Sequence, residues 1–225
     1  MIQGLVNFTD YFKDYDEDYV VISKNNEAFI KRLLGFIELA GYKTKQRTTN
    51  DSRHNLFRFF DSEDKTYPEQ IELFAIHTHD SAIVKDSHII PITTPEFYKY
   101  LSAILLDKDY FELLIKYTTN IEGLHIATPE VLIPLKIHAH INLLKDAHPD
   151  AKKHLTDVIR LATMLDDETS VILVDNPRKD YLEFLPLLDA VEPNTVRNVL
   201  KSAGVGKLQK TIRELLEAAY SIPKS

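Results

Sequence analysis

The sequence predicts an α+β protein: a small mixed sheet with helices, followed by a C-terminal helical bundle. Three observations predict it. Up to about residue 127, short runs of β-branched and aromatic residues alternate with turn residues. Beyond that point, apolar residues recur at three- and four-residue steps. The change falls at "ATPEV", where Thr128 is placed to cap a helix and Pro129 to occupy its first position. Strands and helices so segregated along the chain are the mark of α+β rather than of repeated βαβ units. The expected division is an α/β core over 1–127 and a helical domain over 128–225.

Taken in order, residues 3–14 read as a short amphipathic helix and 19–22 as a strand. "NNEAFIKRLLGFIELAGY" is a helix capped by Asn25 or Asn26, with Phe29, Ile30, Leu33, Leu34 and Ile37 on its apolar face and Gly41 at its end. Strands follow at 43–47, 56–60 and 70–76. "YKYLSAILLDKDYFELLIKY" opens extended and turns helical from about Asp107, and "EGLHIAT" reads as the last strand. After Thr128 come two well-patterned helices, the second with Leu155, Val158, Ile159, Ala162 and Leu165 on one face. Further helices cover 178–190, 194–202 and 207–219.

Composition bounds the function. The chain has 225 residues and a formal net charge of −7, which argues against a broad electrostatic footprint on nucleic acid while leaving room for a local basic groove. It contains no cysteine, which excludes disulfides, thiolate zinc sites and cysteine nucleophiles. "MIQGLVNFTDYFKDYDE" turns acidic too early for a signal peptide, and no apolar run approaches spanning length. A cytoplasmic protein with no membrane partner is expected.

Several constellations carry possible chemistry. Asp14, Asp16 and Asp18 have the period-two spacing that places carboxylates on one side of an extended segment, as two-metal phosphoryl chemistry requires. The same acids also suit a solvated turn before an edge strand. Glu72 lies within "QIELFAI" on the alternation of Phe74 and Ile76, where a carboxylate must be paired, metal-bound or solvent-facing. Lys136 interrupts an otherwise apolar helix, on the face of Leu132 and His140; it either snorkels to solvent or meets an anion in a cleft. On the next helix Lys153, Asp157 and Arg160 form a polar stripe with Lys152 and His154 beside it. That stripe is a solvated face or, taken with Lys136, a phosphate-binding wall. His77, His79 and Asp80 make a weak metal pattern. His138 and His140, two apart on a helix, point to different sides and do not chelate together.

The pair "IATPEVLIPLKIHAHINLL…AKKHLTDVIRLATML" resembles the AbiEii/AbiGii-type nucleotidyltransferases of the polymerase-beta-like superfamily, a family that includes bacterial toxins of toxin–antitoxin systems. The likeness rests on Lys136 and Ala139 in "LK-x-x-A", then Lys153, Asp157, Val158 and Leu161 in "K-x-x-x-D-[IV]-x-x-L". It extends upstream through "FTDYFKDYDEDYVVI", "FIKRLLGFIELAGYK", "LFRF", "QIELF" and "YLSAILLDKDYFELL". The resemblance implies a nucleotidyltransferase-like sheet with Glu72 as the third metal-binding acid. It also implies Lys136 and Lys153 near nucleotide phosphates and Asp157 positioning them; His140, on the helical face of Lys136, is counted with these phosphate-binding candidates. One feature departs from the family. Its Gly-Gly or Gly-Ser turn and following Asp-x-Asp strand have no counterpart, since the chain's six glycines include no adjacent pair. In the simplest alignment that segment is missing and two flanking strands are merged. In the other, Asp14 and Asp16 are themselves the Asp-x-Asp pair, and Asp16 with Glu72 holds Mg²⁺.

Two functions follow from the resemblance, with a third beside them. The first is a pseudoenzyme that binds a nucleoside triphosphate or an antitoxin-like protein. The second is an active Mg²⁺-dependent transferase, with Asp14, Asp16 and Glu72 as catalytic acids and RNA or protein as acceptor. The third is an interaction scaffold without a nucleotide.

Overall fold

The structure is a computed structural model that describes residues 5–9, 16–21, 27–44, 58–75, 89–91, 102–121, 124–165, 168, 170–206 and 208–223. The fold is α+β. The chain divides into two compact units, one comprising residues 1–111 and 118–127, the other 112–117 and 128–225. Residues 112–117, placed before the boundary by the sequence, are thus grouped with the helical unit.

In the first unit the described strands form a mixed sheet. They are β1 (Leu5–Thr9), β2 (Asp16–Val21), β3 (Lys43–Thr44), β4 (Arg58–Phe60), β5 (Gln70–Ala75), β6 (Ile89–Pro91), β7 (Ser102–Leu105), β8 (Thr118–Ile121) and β9 (Leu124–Ala127), with helix α1 (Glu27–Leu39) between β2 and β3. The order is β3-β4-β5-β2-β1-β9-β8, with β7 joining β5 to β6. The expected helix at 3–14 is a strand at 5–9. All five of its residues pair antiparallel with β2, and β9 lies parallel on its other side. Two ladders of cross-strand bonds outweigh a weak helical periodicity in a segment carrying Val6, Phe8 and Thr9.

β5 is central. β2 runs parallel along its whole length, while β4 and then β7 share the opposite edge. Its side chains alternate, with Ile71, Leu73 and Ala75 buried and Gln70, Glu72 and Phe74 half-buried. Leu33 and Ile37 of α1, one helical turn apart, are buried with Tyr42 and Phe59. The helix ends at Gly41 with φ +66°, a conformation that closes the last turn through Tyr42 N–H to the Ile37 carbonyl. The caps expected at Asn25 and Asn26 lie outside the described residues.

Helix α2 (Lys108–Tyr117) starts where the sequence indicates, with the Asp107 carboxylate accepting from the Asp109 N–H at 2.8 Å. The second unit contains α3 (Pro129–Lys145), α4 (Ala151–Ala162), α5 (Asp175–Asp189), α6 (Pro193–Ser202) and α7 (Ile212–Ala219). The sequence did not indicate the parallel pair β10 (Val171–Ile172) and β11 (Tyr220–Ser221), so "EGLHIAT" is not the last strand. Two-residue strands are too short to leave a periodic trace. The core collects Val131, Ile133, Ile137, Val158, Ile159, Phe184, Leu185 and Leu216. Among the described residues no helix is long and apolar enough to cross a membrane.

Candidate functional site

Helices α3 and α4 are joined by residues 146–150, short enough to make them antiparallel neighbours, with Ala147 at φ +52° in the reversal. Two side-chain links set their register. His140 Nδ1 lies 2.7 Å from the Ala151 carbonyl; since a carbonyl only accepts, that nitrogen carries the proton. One turn back on α3, Lys136 Nζ lies 3.7 Å from Asp157 Oδ2. The pair is well covered: the side chains retain 19% and 4% of their exposure. Arg160 NH1 stands 3.9 Å from the other oxygen of Asp157, and Arg160 NH2 meets Ser202 Oγ of α6 at 3.4 Å. The α4 stripe is therefore a solvated face only in part.

Lys136, His140, Lys153 and Asp157, the four residues singled out on this wall, are placed differently. Lys136 and Asp157 pair directly, Lys153 is exposed, and His140 is buried, edge-on to Phe184 with ring centroids 5.7 Å apart. The wall has another member, His154, which the sequence placed beside the stripe and not in the site. Burial first, then the charges of Lys136 and Lys153, push its pKa down to about 4 from the usual 6.5. His154 is three residues from both Ala151 and Asp157, the two points where α4 is tied to α3, a relation that only the helix packing reveals.

His138 and His140 have different polar partners. His138 Nδ1 meets Asp180 Oδ2 of α5 at 2.6 Å, and its Nε2 lies 3.0 Å from the Asn142 side-chain amide.

In the first unit, the backbone register places acids together. Asp18 of β2 is paired with Glu72 of β5, and Asp16 with Gln70, two positions along. Asp16 and Asp18 therefore occupy the same alternation as Gln70 and Glu72. Asp14 lies outside the described residues, as do His77, His79 and Asp80. Glu72 is also opposite Arg58 in the β4 ladder, and Arg58 Nε donates to Glu72 Oε1. The sequence reading had not assigned Arg58 a role, although its position within "LFRFF" was a signal of alternation. The Glu72 carboxylate, with 12% of its side-chain exposure left, is neutralised by a guanidinium. As arranged, it fits an ion pair better than a Mg²⁺ site.

No protein-family model, curated protein or solved structure matches this chain.

Proposed function

We propose that this chain is a nucleotidyltransferase-like protein that acts by binding nucleotide phosphates on the α3/α4 pair, rather than by catalysing transfer. The observation that carries this reading is the gathering of Lys136, Lys153, His154 and Arg160 on two antiparallel helices, with the buried Asp157 carboxylate holding Lys136. Lys153 and Arg160 beside the Lys136–Asp157 pair add to the positive field felt by an approaching polyanion. Two further points favour binding over catalysis: the missing glycine turn, and the Arg58 guanidinium on Glu72. An antitoxin-like protein partner would meet the same wall through acidic side chains.

The test is calorimetric titration with ATP, GTP, CTP and UTP, with and without Mg²⁺. Magnesium-independent binding of a triphosphate, lost in Lys136→Ala, is the expected result. No binding by any of the four would remove the reading and leave a protein-interaction scaffold.

The second reading is an active Mg²⁺-dependent transferase, toxin-like, acting on RNA or protein. The pairing of Asp18 with Glu72, and of Asp16 two positions away, favours it. There, Mg²⁺ would shield the charge of the triphosphate and activate the attacking oxygen. Asp16 and Glu72 would hold it, once Arg58 had yielded the Glu72 carboxylate. Binding that requires Mg²⁺ and weakens in Glu72→Gln, with transfer of label abolished by Asp16→Asn, would replace the first reading with this one.

A further inference from the structure

Between the two links that tie α3 to α4 lies a side chain that neither uses. The links join residue 140 to 151 and residue 136 to 157, so α4 sets Ala151, His154 and Asp157 in succession along the side facing α3. His154 is midway. Its Nδ1 is buried and has no hydrogen-bond partner among the described residues.

The groups acting on this ring come from two directions. From α3 they are the ammonium of Lys136 and the ring of His140; from the start of α4 they are Lys153 and Asp150. Helix α6 meets α4 further along, at Arg160 and Ser202. No charge of α6 or α7 is among the described groups that act on His154. The ring thus sits in a positive local potential. Burial first, and then this potential, disfavour a proton on the ring.

We propose that His154 is the proton-accepting member of an anion site formed with Lys136 and Lys153, and that binding a phosphate dianion there protonates it. The inference rests on the nucleotide-binding reading above and adds the preferred charge state of the ligand and its coupling to pH. A dianion lying against both ammonium groups reverses the sign of the potential at the imidazole. The proton comes from solvent and completes a third positive contact. Affinity then falls as pH rises through the titration of His154 in the bound state. A terminal phosphate, doubly charged near neutrality, is preferred to a singly charged carboxylate.

The test follows the His154 ring by NMR on the full chain, from pH 4 to pH 8, with and without ATP in the absence of metal. The signal is assigned through the labelled wild-type backbone and checked by its loss in His154→Gln. The expected result is a midpoint raised by about one unit or more when ATP is bound, with a smaller rise in Lys153→Ala. A midpoint that stays in place while ATP binds overturns the proposal and leaves the nucleotide-binding reading standing. Failure of ATP, GTP, CTP and UTP to bind anywhere in that pH range overturns both. Because the decisive measurement is on the wild-type chain, a variant that fails to fold does not blunt it.

Discussion

The hydroxyl of Tyr220 donates to the backbone carbonyl of Glu130 at 2.9 Å, across 90 residues of chain. The acceptor is the carbonyl that Pro134, four residues further along α3, is unable to serve, because proline has no N–H. A proline in mid-helix thus has its consequence answered by a side chain from the far end of the chain. Tyr220 is fully buried, and burial holds its hydroxyl well above the usual tyrosine pKa, so it remains a donor throughout the working range.

Tyr220→Phe keeps the ring and removes the donor. It is expected to destabilise the chain by ~1–2 kcal/mol, the usual cost of removing one partner of a buried hydrogen bond. Urea unfolding would read this as a lower midpoint at unchanged slope. An unchanged midpoint would mean that water or another donor serves the Glu130 carbonyl equally well.

Lys136→Met removes the ammonium nearest the Asp157 carboxylate while retaining the apolar stem. Breaking a covered pair from one side costs about 3–5 kcal/mol when nothing else is near. With Arg160 at 3.9 Å as a second cation, about 2–3 kcal/mol is expected. The double change Lys136→Met with Asp157→Leu should recover much of that loss, because no lone charge then remains buried. Thermal or urea unfolding of the three variants measures the coupling.

The low pKa of His154 makes stability depend on pH. Folded, the ring titrates near 4; unfolded, near 6.5. Between those values the unfolded chain binds the extra proton, so stability is complete above the unfolded value and declines as pH falls toward 4. The loss across this window is about 1–3 kcal/mol, the lower end reflecting solvent screening of a partly exposed ring. In His154→Gln the slope of unfolding free energy against pH should flatten by that amount. An identical slope in the variant would assign the dependence to other groups.

Gly41 has no room for a side chain. A Cβ there would stand 2.5 Å from Cγ of Glu63, at a positive φ that L-residues avoid. Gly41→Ala is expected to cost ~1–2 kcal/mol, since the left-handed conformation alone accounts for that much. Glu63 can swing aside to relieve the contact. Adding Glu63→Ala should therefore recover little of that loss, as read by the midpoint of urea unfolding.

The helical half was the more legible part of the chain. Thr128 and Pro129, and Asp107 before α2, are local signals, and α3 and α2 begin at those positions; the apolar stripe from Leu155 to Leu165 marked α4, which spans Ala151–Ala162. β1 was misread because five residues of a strand carry too few periods to reveal one, and its partners β2 and β9 are supplied from elsewhere. At the candidate site, Lys136, Lys153 and Asp157 were legible as charges interrupting helical faces. Their grouping with His154 was not, because it depends on which turn of α4 meets which turn of α3.

By itself, then, the sequence determined that the chain from Pro129 onward is mostly helical, where α2 and α3 start, and that cations and a carboxylate lie on two consecutive helices; it misread the strand at 5–9 as a helix and placed the starts of α5 and α7 three residues late and five residues early. These are properties of spacing and local capping, complete within a few residues. Only the tertiary structure decided that Glu72 meets Arg58, that Tyr220 answers the proline of α3, and that His154 lies between two cross-links. The reason is physical: each of those relationships joins residues through strand register or helix packing, and register is settled by the whole set of partners that must be buried together.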